Sequence, residues 1–235
     1  MNTQDIDFNY FLENMEAFYA EYGHRFVAVK NKNILGVYKD FDEALENTLK
    51  TEKVGTFLIQ ECFDSKEKMI HNFQSNVVPI TVWGNKLINQ KSEHGHCFTK
   101  TYNGIVRSLP TIVSVESSTN TGKLIEANAL WDTGASSSLI RPEIAAKLDL
   151  KPISKTLMAT PSDQEVPSNI YLINIYLPSK ARIVKIQALE GIPNNCDMLI
   201  GMDVIAIGDF AVTNFNGQTK FSFRIPSMTE IDFCK

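Results

Sequence analysis

Ala129-Leu130-Trp131-Asp132-Thr133-Gly134-Ala135-Ser136 is an apolar approach that ends in a single carboxylate, and it is followed by small residues and then Leu139 and Ile140. Ordinary surface aspartates sit in polar sequence. Asp132 instead reads as a carboxylate held at the end of a half-buried strand, where Gly134 lets the backbone turn closely and leaves an amide free to bond it. Asp-Thr-Gly alone arises by chance in roughly one chain in twenty of this length, so the flanks must carry the argument.

Thr111 to Val115 alternates and is β-branched, and Leu124 to Trp131 is a second strand candidate. Ser117 to Gly122 between them has turn chemistry, so the pair forms a hairpin feeding Asp132. After the turn, Ile140 to Leu150 carries Pro142 in a first helical turn and apolar residues at Ile144 and Leu148, the pattern of a short amphipathic helix. Strands are expected over Lys155 to Thr160 and Asn169 to Leu177, with the polar stretch Pro161 to Pro167 between them as a mobile hairpin. Val184 to Leu189 alternates as a strand, and Cys196 to Ile205 is a buried apolar run broken by Gly201. Phe210 to Phe215 and Lys220 to Ile225 flank Asn216-Gly217, a strong hairpin signal.

The segment from about Ile105 to Ile225 resembles a retropepsin-like aspartic protease protomer. The matching residues are the turn Asp132 to Ser136, the Pro142, Ala146 and Leu148 helix, and the run Met198 to Asp203. The resemblance implies a mainly β fold, a retropepsin-like closed β-barrel or acid-protease lobe, with the second apolar-apolar-glycine element packed beneath the catalytic turn. It also implies that Asp132, Thr133 and Gly134 are catalytic, Thr133 bonding across a dimer and Gly134 supplying backbone contacts to the carboxylate. Ala135 and the hairpin tip Ser162, Asp163 and Gln164 are the implied substrate-binding residues. That tip lacks the glycines often found there.

Peptide hydrolysis by this route needs one carboxylate as base toward water and a second, protonated, as acid toward the carbonyl. Two carboxylates sharing a site hold one proton between them and titrate as a pair, for which the aspartic-protease dyad is the standard example. The chain holds one Asp-Thr-Gly and no Asp-Ser-Gly. The second aspartate is therefore expected from another copy of the chain, on the axis of a C2 homodimer. Where some relatives have a hydroxyl residue, Ala135 cannot donate to the carboxylate, and activity is expected at mildly acidic to near-neutral pH rather than near about pH 2 to 3. The function read here is an aspartic endopeptidase acting on polypeptide substrate. The alternative is a catalytically silent peptide-binding or assembly module with the same fold.

The rest of the chain bounds this reading. Its 235 residues, 43% of them hydrophobic, can build one large or two small cores. A net charge of -4 without long like-charge blocks gives no electrostatic case for nucleic acid or an anionic membrane surface. No apolar stretch reaches about 18 residues and no signal peptide is visible, so the expected address is the cytoplasm. Cys62, Cys97, Cys196 and Cys234 are widely spaced and read as reduced thiols. His94, His96 and Cys97 cluster in polar, irregular-looking sequence and read as a solvated loop rather than a zinc site. Neither a metal nor a cofactor is expected.

Residues 1–75 read as a small α+β accessory domain. Ile6 to Tyr22 is an amphipathic helix closed by Gly23, Arg25 to Lys30 and Ile34 to Tyr38 form a hairpin across Asn31 to Asn33, and a helix from Phe41 to Leu49 is capped by Asp40. Thr56 to Phe63 is a strand. Phe8, Phe11, Phe18, Tyr19 and Tyr22 at helical spacing read as core rather than as a binding stripe. The pattern around Phe26 to Lys30 resembles a short bacterial domain of unknown function. Residues 76–103 read as a linker, with Val77 to Trp83 strand-like and the whole open to self-cleavage, and residues 104–228 as the protease domain.

Overall fold

The structure is a computed structural model that describes residues 2–65, 69–72, 96–159 and 165–234. In chain order the elements are α1 (Thr3–Tyr22), β1 (Phe26–Lys30), β2 (Asn33–Tyr38), α2 (Phe41–Thr48), β3 (Leu58–Glu61), β4 (Ile70–Asn72), β5 (His96–Thr101), β6 (Leu109–Ser117), β7 (Ile125–Trp131), β8 (Leu139–Ile140), α3 (Pro142–Lys147), β9 (Ser154–Ala159), β10 (Glu165–Tyr176), β11 (Arg182–Glu190), β12 (Met198–Ile200), α4 (Met202–Ile205), β13 (Asp209–Thr213) and β14 (Lys220–Ile225). They form two compact units. The first comprises Met1–Phe73 and Leu150–Tyr171, the second Gln74–Asp149 and Leu172–Lys235.

In the first unit, α1 starts at Thr3, three residues before the expected Ile6, and stops before Gly23 as the sequence implies. The Asn2 side chain accepts the Asp5 amide while the Asp5 carboxylate accepts the Asn2 amide, a reciprocal cap that starts α1, and Gly23 at φ 69° ends it. Asn31 and Lys32 both take positive φ, as a two-residue hairpin turn requires, and the buried carboxylate of Asp7 accepts both of their amides at 3.0 and 2.7 Å. Asp40 caps α2 by accepting the Glu43 amide. The sheet runs β2-β1-β3, all antiparallel. Phe8, Phe11, Met15 and Phe18 of α1 pack on Val27, Val29 and Leu58, with Tyr19 and Tyr22 at the margin, so the helical aromatics are core. Leu157 belongs to the same cluster. β9 pairs antiparallel with the first half of β10 and parallel with β4.

The second unit is a closed β-barrel. Its strands run β11-β8-β12-β7-β6-β10, and β10 pairs in turn with β11, so the ring has no free edge. A separate antiparallel sheet, β13-β14-β5, contributes Phe98, Phe210, Phe221 and Phe223 to a cluster around the buried Trp131 ring, with centroids 4.6 to 6.1 Å from it. The aromatic floor directly precedes Asp132 in the chain. The Asn216-Gly217 signal marks the β13–β14 hairpin, both residues at positive φ, although the connection forms a short 3-10 turn rather than a two-residue loop.

One stretch differs from the sequence expectation. His96 and Cys97, expected in an irregular loop, begin β5, because Phe98 of the same strand has the aromatic cluster to bury against. His94 and Val77 to Trp83 lie outside the described residues. All four cysteines are free thiols, Cys62 and Cys196 buried, Cys97 and Cys234 exposed. Among the described residues no helix is long and apolar enough to cross a membrane.

Truncating Trp131 to alanine should empty the centre of the aromatic cluster and destabilise the second unit by roughly 3–5 kcal/mol, measured as the shift in the urea unfolding transition.

Candidate active site

The strand β7 delivers Asp132 by a ladder that continues past its own end. β12 pairs parallel to β7, Met198 beside Ala129 and Ile200 beside Trp131, and the Asp132 amide then donates to the Ile200 carbonyl at 3.0 Å. On its other edge β12 pairs antiparallel to β8, Leu199 beside Leu139. The residues on either side of the turn are therefore clamped to the same three-residue strand. Met198, Leu199 and Ile200 are all buried, which is why this run shows no polar alternation.

Between the clamped ends, Asp132 is half-buried and Thr133 and Gly134 are exposed. The Gly134 amide donates to Asp132 Oδ1 at 2.8 Å, and the Ala135 amide to the Asp132 carbonyl at 3.3 Å. A side chain on Gly134 would place its Cβ 3.2 Å from Oδ1, so glycine keeps this approach open. Ala135 is buried, and its carbonyl accepts the Met202 amide at 2.8 Å. Ser162, Asp163 and Gln164 lie outside the described residues.

Gly201 is where the turn and β12 meet. A Cβ there would lie 2.7 Å from the Ser137 carbonyl carbon and oxygen and 2.9 Å from the Ala135 carbonyl oxygen, all backbone atoms that cannot swing aside. Beyond it, α4 turns back so that Asp203 faces the turn. Asp203 Oδ1 accepts the Ser138 hydroxyl at 2.8 Å and the Val204 amide at 3.0 Å, Oδ2 accepts the Ser138 amide at 3.0 Å, and the Gly201 amide donates to Ser138 Oγ at 3.2 Å. Burial pushes the Asp203 carboxyl up to about 6, outweighing these donors, which favour the ionised form.

Ser138 and Asp203 were not singled out in sequence as site residues. Their signal is a hydroxyl and a carboxylate embedded in apolar runs, Ser138 before Leu139 and Ile140, Asp203 before Val204 and Ile205. Polar groups in such runs need partners, and these two partner each other.

On the far side of β12, the Asn128 amide donates to Asp197 Oδ2 and the Asp197 amide to the Asn128 carbonyl, both at 2.9 Å. Arg141 Nη2 donates to the Pro193 carbonyl at 2.7 Å, and Nε to that of Cys196 at 2.5 Å. These bonds hold the connection into β12. Among the described residues no three of His, Cys, Asp and Glu gather as metal ligands.

Gly201→Ala should force the turn away from β12 and cost roughly 1–3 kcal/mol of stability, read by chemical unfolding. The Asp203 proton is held more tightly in the folded than in the unfolded chain. Its contribution, up to about 3 kcal/mol, is therefore full below about pH 4 and lost as pH rises through about 6. Subtracting the urea stability of Asp203→Asn from that of the wild type between those values should reveal this slope, and a flat difference would show that burial does not govern the group.

The family model described as aspartyl protease matches residues 115–204, a span that contains the Asp132 turn, β12 and Asp203. No curated protein matches the chain. Among solved structures it is similar to the crystal structure of a retropepsin-like aspartic protease from Rickettsia conorii, at 14% identity over 57% of this chain and 98% of that one, with a TM-score of 0.36. Residues 115–204, which hold one apolar strand ending at Asp132 and a second locked beneath it by Gly201, are thus the part of the chain that is similar to the aspartyl protease family.

Proposed function

We propose that the protein is an aspartic endopeptidase whose site is completed by a second copy of the chain. The observation that carries this reading is the presentation of Asp132: its Oδ1 is held at 2.8 Å by the Gly134 amide while Thr133 and Gly134 remain exposed in the single chain. A carboxylate fixed by a backbone donor, on a turn clamped from both sides, is positioned in advance of any substrate. The chain offers one such turn. Two copies related by a two-fold axis bring Asp132 and its symmetry mate together, and the exposed Thr133 and Gly134 then meet their own counterparts.

In this dimer the pair shares a proton. The ionised carboxylate takes a proton from water as it attacks the peptide carbonyl, and the protonated one donates to the carbonyl oxygen. An extended peptide pairs with strands of the lobe, and side-chain pockets select the sequence. The linear protease domain is taken as residues 104–228, with residues 1–75 as the accessory domain.

Cleavage of a diverse peptide library by wild type and Asp132→Asn from about pH 4 to about pH 7.5 tests this, with the mass of each species determined by sedimentation. Turnover should fall by about 10³-fold or more in the variant while the dimer persists, and wild-type specific activity should drop on dilution below the dimer dissociation constant. A well-folded wild-type dimer that cleaves nothing would overturn the peptidase reading in favour of a peptide-binding module.

A further inference from the structure

We propose that Asp203 is a positioning residue for Asp132, acting with Ser138 to fix the Gly134 amide that holds the Asp132 carboxylate; the catalytic part of this rests on the peptidase reading above. Asp132 is held at its own end by the ladder, through the Ile200 carbonyl. Gly134 lies two residues further on, past the last pair of that ladder, Ile200 beside Trp131. The place of its amide, 2.8 Å from Asp132 Oδ1, is therefore set by whatever holds the residues that follow it.

Those residues are docked on α4. The Met202 amide donates to the Ala135 carbonyl at 2.8 Å, and the Asp203 amide to the Ser136 carbonyl at 3.2 Å. The Asp203 carboxylate then accepts from Ser138 twice, the hydroxyl on Oδ1 at 2.8 Å and the amide on Oδ2 at 3.0 Å. Of these four bonds Asp203 makes three, and it reaches the turn with both its backbone and its side chain. Ser138 is fully buried, and its hydroxyl accepts the Gly201 amide at 3.2 Å while donating to Asp203, so it joins the residue that opens α4 to the carboxylate within it.

The pattern of donors explains why this residue is an acid rather than its amide. Two backbone amides converge on the side chain from different elements, that of Ser138 on Oδ2 and that of Val204 on Oδ1, so an acceptor is needed in both places. Asparagine offers one acceptor and one donor group. With its oxygen toward the Ser138 amide, it sets its own N–H groups against the Val204 amide and takes away the acceptor of the Ser138 hydroxyl. Turned the other way, it leaves the Ser138 amide facing a donor. Either orientation strips Ser138 of one bond, and a buried donor left unpartnered costs enough to be relieved by movement of the backbone. Ser138 is joined through Ser137, Ser136 and Ala135 to Gly134, so that movement is passed to the amide that holds Asp132.

The test uses full-length protein, isotope-labelled at glycine, as wild type, Asp203→Asn and Ser138→Ala. The Gly134 amide resonance is read without substrate, and kcat and KM are measured on a library-derived peptide, with the folded dimer quantified in the same samples. In Asp203→Asn the Gly134 resonance should move toward that of a water-bonded amide. Its kcat should fall by about tenfold or more with KM within about twofold of wild type, because the carboxylate acts in the chemical step while peptide pairing with the strands is untouched. Ser138→Ala should shift both readouts in the same direction by less, and it carries the test if Asp203→Asn does not fold. Lower stability with the Gly134 resonance unmoved overturns the positioning of the amide. A moved resonance with kcat unchanged, or with KM rising instead, overturns its bearing on catalysis. A wild type that cleaves nothing refutes the peptidase reading, while the Gly134 resonance still decides whether Asp203 sets the turn.

Discussion

The geometry around Asp132 depends on one close approach, that of the Gly201 Cα to the backbone of Ala135 and Ser137. Because no side chain intervenes, β12 can lie between β7 and β8 and hydrogen-bond to both. The Asp132 amide then completes the ladder onto Ile200, and the Ala135 carbonyl receives the Met202 amide. Every residue from Asp132 to Ser138 is thereby bracketed by strand pairing on one side and by the first turn of α4 on the other. A carboxylate at such a position keeps little conformational freedom, since that freedom was already spent in folding.

Beneath this contact the chain uses two different means of support. On one side is apolar mass, with Trp131 held by four phenylalanines drawn from β5, β13 and β14. On the other is a polar lock in which Ser138 and Asp203 satisfy each other and the neighbouring amides. Aromatic packing is tolerant of small displacements, whereas the hydrogen bonds of a buried carboxylate are not. The rigid element therefore sits where the chain turns, and the compliant one where a strand merely has to be covered.

Much of this was legible along the chain because it is encoded locally. The Gly23 stop and the Asp40 cap, the Asn31 to Asn33 turn, the apolar approach to Asp132 and the unbroken run Met198 to Ile200 each carry their meaning within a few residues. Other features were not legible because their cause lies far away. His96 to Thr101 alternates too weakly to declare a strand, and becomes one where Phe98 finds Trp131 and Phe221. Ser138 and Asp203 meet across 65 positions. Lys155 and Leu157 look like any amphipathic strand, and nothing beside them in sequence says that their partners are Asp5 and the aromatic face of α1.

The interleaving of the two units also governs the order in which the chain can fold as it is made. The first unit leaves off at Phe73 and resumes only at Leu150, with the intervening residues belonging to the second. At synthesis rates of about 5–20 residues per second, Leu157 leaves the ribosome roughly 4–17 seconds after Phe73. For that interval the nascent N-terminal core holds an unfilled place where Leu157 will sit, and the Asp5 carboxylate waits without its lysine. The earliest part of the protein to be translated is thus among the later parts to be finished.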